Sequence, residues 1–229
     1  MFSKTSNSPL RRRRQRMDNR TVFYVIRHAN APKMEGQPDE TRKLSEEGRE
    51  KARKCGTELG KPNADLVLAP PCLRHRETAI LVTGPENRAP TIIVPELFTP
   101  SGPDEKILNA AFNRFGYEPL GSYLDKGSNA EVQCLRRFGI TSWAAVISAT
   151  ERHSPALRFY GGRDPFVKVV VIGSAIYIPA MLLAAASDLD EETKQAILDW
   201  NTPDCGVARL VYDNDQKKVL EITTETKTR

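Results

Sequence analysis

Histidine is scarce in this chain, with only His28, His75 and His153 among 229 residues, and the four cysteines, Cys55, Cys72, Cys134 and Cys205, form no CxxC pair. That inventory offers neither the ligand spacing of a structural metal nor a disulfide framework, so no structural metal and a reduced cytosolic or organellar compartment are the expectation. Long hydrophobic runs are missing too. No window approaches the roughly 20 consecutive apolar residues of a membrane span, and the chain reads as soluble, cytoplasmic and without a membrane partner. No internal repeat is present.

The body of the chain also lacks a charge imbalance. Residues 1–20 carry seven basic side chains against Asp18, which leaves 27 basic and 28 acidic groups in the remainder. The formal charge of +5 and the pI near 9.0 therefore belong to the opening MFSKTSNSPLRRRRQRMDNR. This stretch has the composition of a disordered tail. It could serve as an organellar targeting peptide, a nuclear-localisation-like cluster or a plain solvated tail, and nucleic acid is expected as a partner only through it.

With 39% hydrophobic residues, what remains can bury one sizeable core, and we read 21–224 as a single domain. Its first element is TVFYVIRHANA, Thr21 to Ala31, an apolar run that breaks into Arg27-His28. A buried strand ending in a polar pair places that pair where α/β sheets keep their ligand sites. A guanidinium matches phosphate oxygens with a planar fork of donors, and a neutral imidazole offers a lone pair that can attack phosphorus. Arg27 and His28 together suit phosphoryl chemistry.

Ser45 can cap a helix whose acids precede its bases, as the macrodipole prefers. Asp65 to Ala69 reads as a second strand, Leu73 to Val82 as a helix, Thr91 to Val94 as a third strand, and Pro95 to Pro103 as a loop. The segment 104–164 is mostly helical in pattern, broken at Gly116, Gly121 and Gly127, and is taken as an insertion shaping the pocket mouth. Val167 to Ile172 is the most apolar strand. Gly173-Ser174-Ala175 turns from it into a helix over 176–187. A helix over 191–200 and two strands, 207–212 and 218–223, complete the chain. Strands alternating with helices predict an α/β three-layer sandwich, with a largely parallel central sheet covered by helices on both faces and closed by an antiparallel hairpin.

A second candidate cluster is Pro70-Pro71-Cys72-Leu73-Arg74-His75-Arg76-Glu77-Thr78-Ala79. In the first turn of a helix, Arg74 would converge with free backbone N–H groups on an anion held at the strand end. Cys72 is either a small buried filler, the commoner role of a lone cysteine, or a reactive thiol beside an arginine and a helix start. Tyr177, Trp200 and Asn201 could line the pocket.

Arg27-His28-Ala29, this second cluster and the run Asp39-Glu40-Thr41-Arg42-Lys43-Leu44-Ser45-Glu46-Glu47-Gly48 together resemble the histidine phosphatase superfamily, which includes cofactor-dependent phosphoglycerate mutases. The run from Asp39 is similar to the D-x-x-R-x-L-[ST]-x-x-G pattern of the small phosphohistidine phosphatase branch. The resemblance implies a phosphoglycerate mutase-like fold and no cofactor. His28 would be the nucleophile, and Arg27 and Arg74 would bind the phosphoryl oxygens. It also exposes a departure: the family's second histidine aligns with Ser174, a phosphate-binding candidate whose hydroxyl can donate one hydrogen bond to a phosphoryl oxygen but brings no positive charge. Neither His75, in the small-residue place of the motif, nor His153, ahead of the strand, is a good substitute by position. Glu96 is the carboxylate nearest by position to act as general acid, with Asp104 and Glu105 behind it.

The expected activity is a phosphatase acting on a phosphomonoester or phosphohistidine through phospho-His28, weakened by Ser174, with a small phosphorylated molecule or a phosphoprotein as partner. The alternative is an inactive relative that binds phosphorylated ligands. On this reading Ser174→His should raise the rate at least tenfold, unless a neighbouring cation already supplies the charge.

Overall fold

The computed structural model describes residues 19–100, 102–160 and 166–225, with 154–160, the end of the last insertion helix, in their backbone only. The tail up to residue 18 lies outside the described residues, but the first strand already begins at Arg20, inside the stretch read as tail.

Six strands form one sheet: β1 (Arg20–Arg27), β2 (Leu66–Ala69), β3 (Thr91–Ile93), β4 (Phe166–Gly173), β5 (Val207–Asp213) and β6 (Lys218–Thr224). Their spatial order is β3-β2-β4-β1-β5-β6. The first four are mutually parallel, while β5 runs antiparallel to β1 and β6 antiparallel to β5. The expected sheet and closing hairpin are what the chain forms.

The continuous apolar strands follow from burial on both faces. Phe23 and Val25 of β1, Leu66 and Leu68 of β2, and Val169 and Val171 of β4 share one core. The residues between them, Ile26, Val67, Ala69, Val170 and Ile172, face the other. That second core is covered by α1 (Glu46–Glu58) and α2 (Leu73–Thr83). The first is covered by α5 (Asn129–Tyr160), α6 (Tyr177–Ala185) and α7 (Glu191–Asp199). Ser45 caps α1 as expected, its Oγ accepting from Gly48 N at 3.0 Å. Gly48 has a second duty: a Cβ there would stand 2.3 Å from the Asn30 carbonyl, so only glycine lets α1 press this closely on the loop after β1.

The described part of the insertion is made of helices joined by short turns. It consists of α3 (Pro103–Phe115), α4 (Leu120–Lys126) and α5, with a small core of Leu108, Ala111, Leu120, Tyr123, Leu135 and Phe138 set against Ile176 and Ala180. The segment read as a loop after β3 holds a short 3-10 turn, Pro95–Leu97, and α3 starts at its last residue. Among the described residues no helix is long and apolar enough to cross a membrane.

Candidate active site

Because the four parallel strands point the same way, their carboxyl ends deliver one cluster: His28 after β1, Arg74 and His75 after β2, Phe98 after β3 and Ser174 after β4. Ladder pairing sets Arg27 against Gly173, and the His28 amide continues it by donating to the Gly173 carbonyl at 3.0 Å.

The protonation of His28 is fixed from two sides. Its Nδ1 lies 2.7 Å from the Ala29 carbonyl, which can only accept, so the ring proton sits on Nδ1. Its Nε2 lies 3.2 Å from Arg74 Nε, which can only donate, so Nε2 carries a lone pair. Burial, followed by the charge of Arg74 and those of Arg27 and Arg42, outweighs the Ala29 bond and pushes the ring's pKa from 6.5 down to about 3. The imidazole is neutral at physiological pH.

Arg74 enters from the first turn of α2 and is buried. Besides His28 it holds Asp39, with Nη1 on the Asp39 carbonyl at 2.6 Å and Nη2 on Oδ2 at 2.8 Å. The ring of Phe98 lies 5.7 Å from its guanidinium. Arg42 grips the other carboxylate oxygen of Asp39 at 2.6 Å and also donates to the Ala31 carbonyl. Burial alone would raise the Asp39 pKa, but the Arg42 bond and the charge and bond of Arg74 win and hold it below the usual carboxylate range. Thr78 ties this corner together, its hydroxyl accepting from Ala29 N at 3.1 Å and donating to the Arg74 carbonyl at 2.7 Å.

His75 is fully buried next to Arg74. Its ring stands edge-on to that of His28, with centroids 4.7 Å apart, and its Nε2 lies 2.9 Å from Ser174 Oγ. Burial, then His28, Arg74 and Arg42, depress its pKa well below the ordinary imidazole value. The histidine set aside on sequence position is thus in contact with the serine that aligns with the expected one. The helical turn after Pro70-Pro71 turns the motif's small-residue position inward rather than along the surface.

Arg27 takes a separate direction. Its Nη1 donates to the Thr202 carbonyl at 2.6 Å, its Nη2 pairs with Asp204 at 3.1 Å, and its guanidinium lies 5.0 Å from the ring of Tyr117 from the insertion. Each of the two arginines expected to clamp a phosphoryl group is engaged by its own carboxylate, Arg27 by Asp204 and Arg74 by Asp39. The Nε atoms of Arg27 and Arg42 are buried donors with no acceptor among the described residues.

Of the residues expected at the site, His28, Arg74 and Ser174 are brought together and Arg27 lies close enough to lower the His28 pKa. Among the described residues no side-chain bond joins Glu96 to them: it is exposed, and its backbone carbonyl is what ties it to the core, accepting from Ser142 Oγ at 2.6 Å. Cys72 is buried, as a small core filler would be, and burial pushes its thiol up to about 11. Tyr177 packs on Phe138, Trp200 is core, and Asn201 is exposed. Sequence reasoning missed Asp39, Arg42 and His75. The first two were signalled by the D-x-x-R spacing, and the third only by a histidine on the inward face of α2.

Residues 23–98 match the family model of the histidine phosphatase superfamily (branch 1). The fold agrees. Phosphoglycerate mutase from Bacillus anthracis superposes with a TM-score of 0.57 at 18% identity, covering 92% of this chain and 94% of that one. A mycobacterial glucosyl-3-phosphoglycerate phosphatase gives 0.54 at 16% identity, with 90% and 98% covered. A protein from Agrobacterium tumefaciens described as the phosphohistidine phosphatase SixA gives 0.52 at 18%, again with 90% and 98% covered. No curated protein sequence matches the chain. The first third of the chain thus carries the sequence pattern of that superfamily, and the chain as a whole has a phosphoglycerate mutase-like α/β fold.

Proposed function

We propose that this protein transfers a phosphoryl group from a small phosphomonoester or a phosphohistidine to His28 and then to water. The observation that supports it best is the doubly fixed tautomer of His28, with a lone pair on the outer nitrogen and Arg74 beside it. In the first step the Nε2 lone pair forms a bond to phosphorus, and the bond from phosphorus to the leaving atom breaks with its electron pair on the leaving group. In the second, a water oxygen attacks the phosphorus and the P–N pair returns to Nε2; of the water's two protons one stays on the phosphate and the other balances the proton taken up by the departed leaving group. Phosphoryl transfer asks the protein chiefly for positioning and for positive charge around the equatorial oxygens, which Arg74 and Arg42, with Arg27 behind, can provide.

The leaving group is the point of discrimination. An alkoxide leaves poorly without a carboxylic acid to protonate it, whereas an imidazole or a phenolate needs less help. Asp39, the carboxylate bound to Arg74, is held ionised, and Glu96 is exposed. The arrangement favours phosphohistidine and aryl phosphates over alkyl esters.

A second reading, a relative that binds phosphorylated ligands without turning them over, is favoured by one observation: Asp39 already occupies two donors of Arg74. Turnover of phosphohistidine, of an aryl phosphate and of an alkyl phosphate by the native protein and by His28→Asn separates the two. The enzyme reading expects turnover of the first two substrates, lost in the variant. Phosphate binding with no turnover of any of the three would favour the binding reading.

A further inference from the structure

Ser174 and His75 come from different parts of the chain, 99 positions apart, yet their side chains meet at 2.9 Å. Ser174 is half-buried at the end of β4, one residue past the Gly173 that receives the His28 amide. His75 lies behind it with no exposed surface, its ring against that of His28.

The direction of the bond between them follows from the other ring nitrogen. His75 Nδ1 is buried and has no partner among the described residues. A buried N–H without an acceptor costs more than an idle lone pair, and native proteins almost never leave one. The proton of the neutral ring therefore sits on Nε2, and His75 donates to Ser174 Oγ. The hydroxyl's own proton is then left over, with no acceptor among the described residues to claim it, on a side chain that is partly open beside His28.

We propose that Ser174 is a catalytic residue that donates its hydroxyl proton in a hydrogen bond to an equatorial oxygen of the phosphoryl group on its way to His28, and that His75 is the positioning residue that forces the hydroxyl to point outward as a donor. The proposal rests on the reading of His28 as the phosphoryl acceptor. It gives the serine a function at the place where the family resemblance expects a histidine, and it gives the buried histidine a task beyond packing. No proton changes hands in the contact.

The test uses the full chain with inorganic phosphate as the probe. A donor lost from a charged oxygen costs about 1.5–3 kcal/mol, so Ser174→Ala should weaken phosphate binding by about ten- to a hundredfold. His75→Phe should weaken it by a similar factor. The double variant should be no weaker than either single one, because the histidine acts through the serine. His75→Gln, which offers an amide N–H at similar reach, should recover most of the loss where a purely structural role would not distinguish it from other polar replacements. Long-range 1H–15N spectra of the native protein should show His75 as the Nε2–H tautomer, a readout that survives even if a core variant fails to fold. An Nδ1–H tautomer overturns the proposal. So does unchanged phosphate affinity in Ser174→Ala while Arg74→Ala weakens it, an outcome that leaves the His28 site standing. If Arg74→Ala and Ser174→Ala are both without effect, or phosphate does not bind, the reading of the site falls together with the proposal.

Discussion

The Nε of Arg74 donates to the Nε2 of His28 across 3.2 Å, so the group that would bind the phosphoryl oxygens also marks, in the free protein, the lone pair that would attack phosphorus. When a phosphoryl group arrives, the guanidinium exchanges a neutral acceptor for a charged one. Arg74→Ala should weaken phosphate or vanadate binding by the worth of a charge-assisted contact, about 1.5–3 kcal/mol, measured by calorimetry on a folded variant. Unchanged affinity would mean that the anion binds elsewhere.

Asp39 competes for that same guanidinium. Its carboxylate spans Arg42 at 2.6 Å and Arg74 at 2.8 Å, which cancels part of the positive charge an incoming anion would meet. Asp39→Asn keeps the side chain's shape and removes its charge, and we expect phosphate affinity to rise several-fold, on the order of 1 kcal/mol. Weaker binding in this variant would show that Asp39 is needed to orient Arg74 rather than to compete with the ligand.

Acid should destabilise this corner before it reaches the carboxylates. His28 takes up a proton near 6.5 when unfolded and near 3 when folded. Between those values the unfolded chain holds the proton and the folded one does not, so stability is fully present above about pH 6.5 and falls as the pH drops toward 3. His28 alone gives a slope of about 1.4 kcal/mol per pH unit, and His75, shifted in the same direction, adds to it. Asp39, with its pKa below its ordinary 3.8, contributes only at the acid end. Urea unfolding at a series of pH values should show a slope reduced by close to one proton in His28→Asn. An unchanged slope would mean that the ring is not buried neutral.

Ser174→His, expected from the sequence to restore activity, meets an obstacle in the structure. The place a new imidazole would occupy adjoins His75, which has no exposed surface and already contacts residue 174. Forcing extra volume into such packing typically costs about 1–3 kcal/mol. The single variant should therefore be destabilised, with no tenfold gain in rate, and Ser174→His combined with His75→Ala should be the form that recovers stability. Thermal melts and initial rates for the three proteins check this. A brisk, stable Ser174→His single variant would show that the two rings do not compete for space.

The sheet was legible because its evidence is local. The run from Thr21 to Ile26 and the apolar strand 167–172 announce two-sided burial, and Ser45 announces the start of α1 through the same hydroxyl that caps it. The glycines read as breaks in the insertion fall in part at helix ends: Gly116 with a φ of 65° and Gly127 close α3 and α4, whereas Gly121 lies inside α4. Gly139, inside the 32-residue α5, is there because a Cβ would stand 2.2 Å from the Ala180 carbonyl, a contact with α6 that no local pattern carries. The nucleophile candidate and Arg74 were legible from residue type at strand and helix ends. What escaped were contacts between distant segments. Asp39 meets Arg74 across 35 positions, and His75 meets Ser174 across 99. On α2 an inward histidine is indistinguishable by spacing from one that merely packs. The partners of Arg27 are Thr202 and Asp204, which the chain brings back only after β4, α6 and α7.

The account as a whole turns on covalent chemistry at one nitrogen. Rapid quenching of the native protein with an aryl phosphate or phosphohistidine, followed by peptide mass spectrometry under alkaline conditions, reads it directly. We expect acid-labile, base-stable phosphate on the peptide carrying His28, formed before phosphate is released and absent from His28→Asn. Turnover that persists in His28→Asn, with no phosphate ever found on His28, would contradict it.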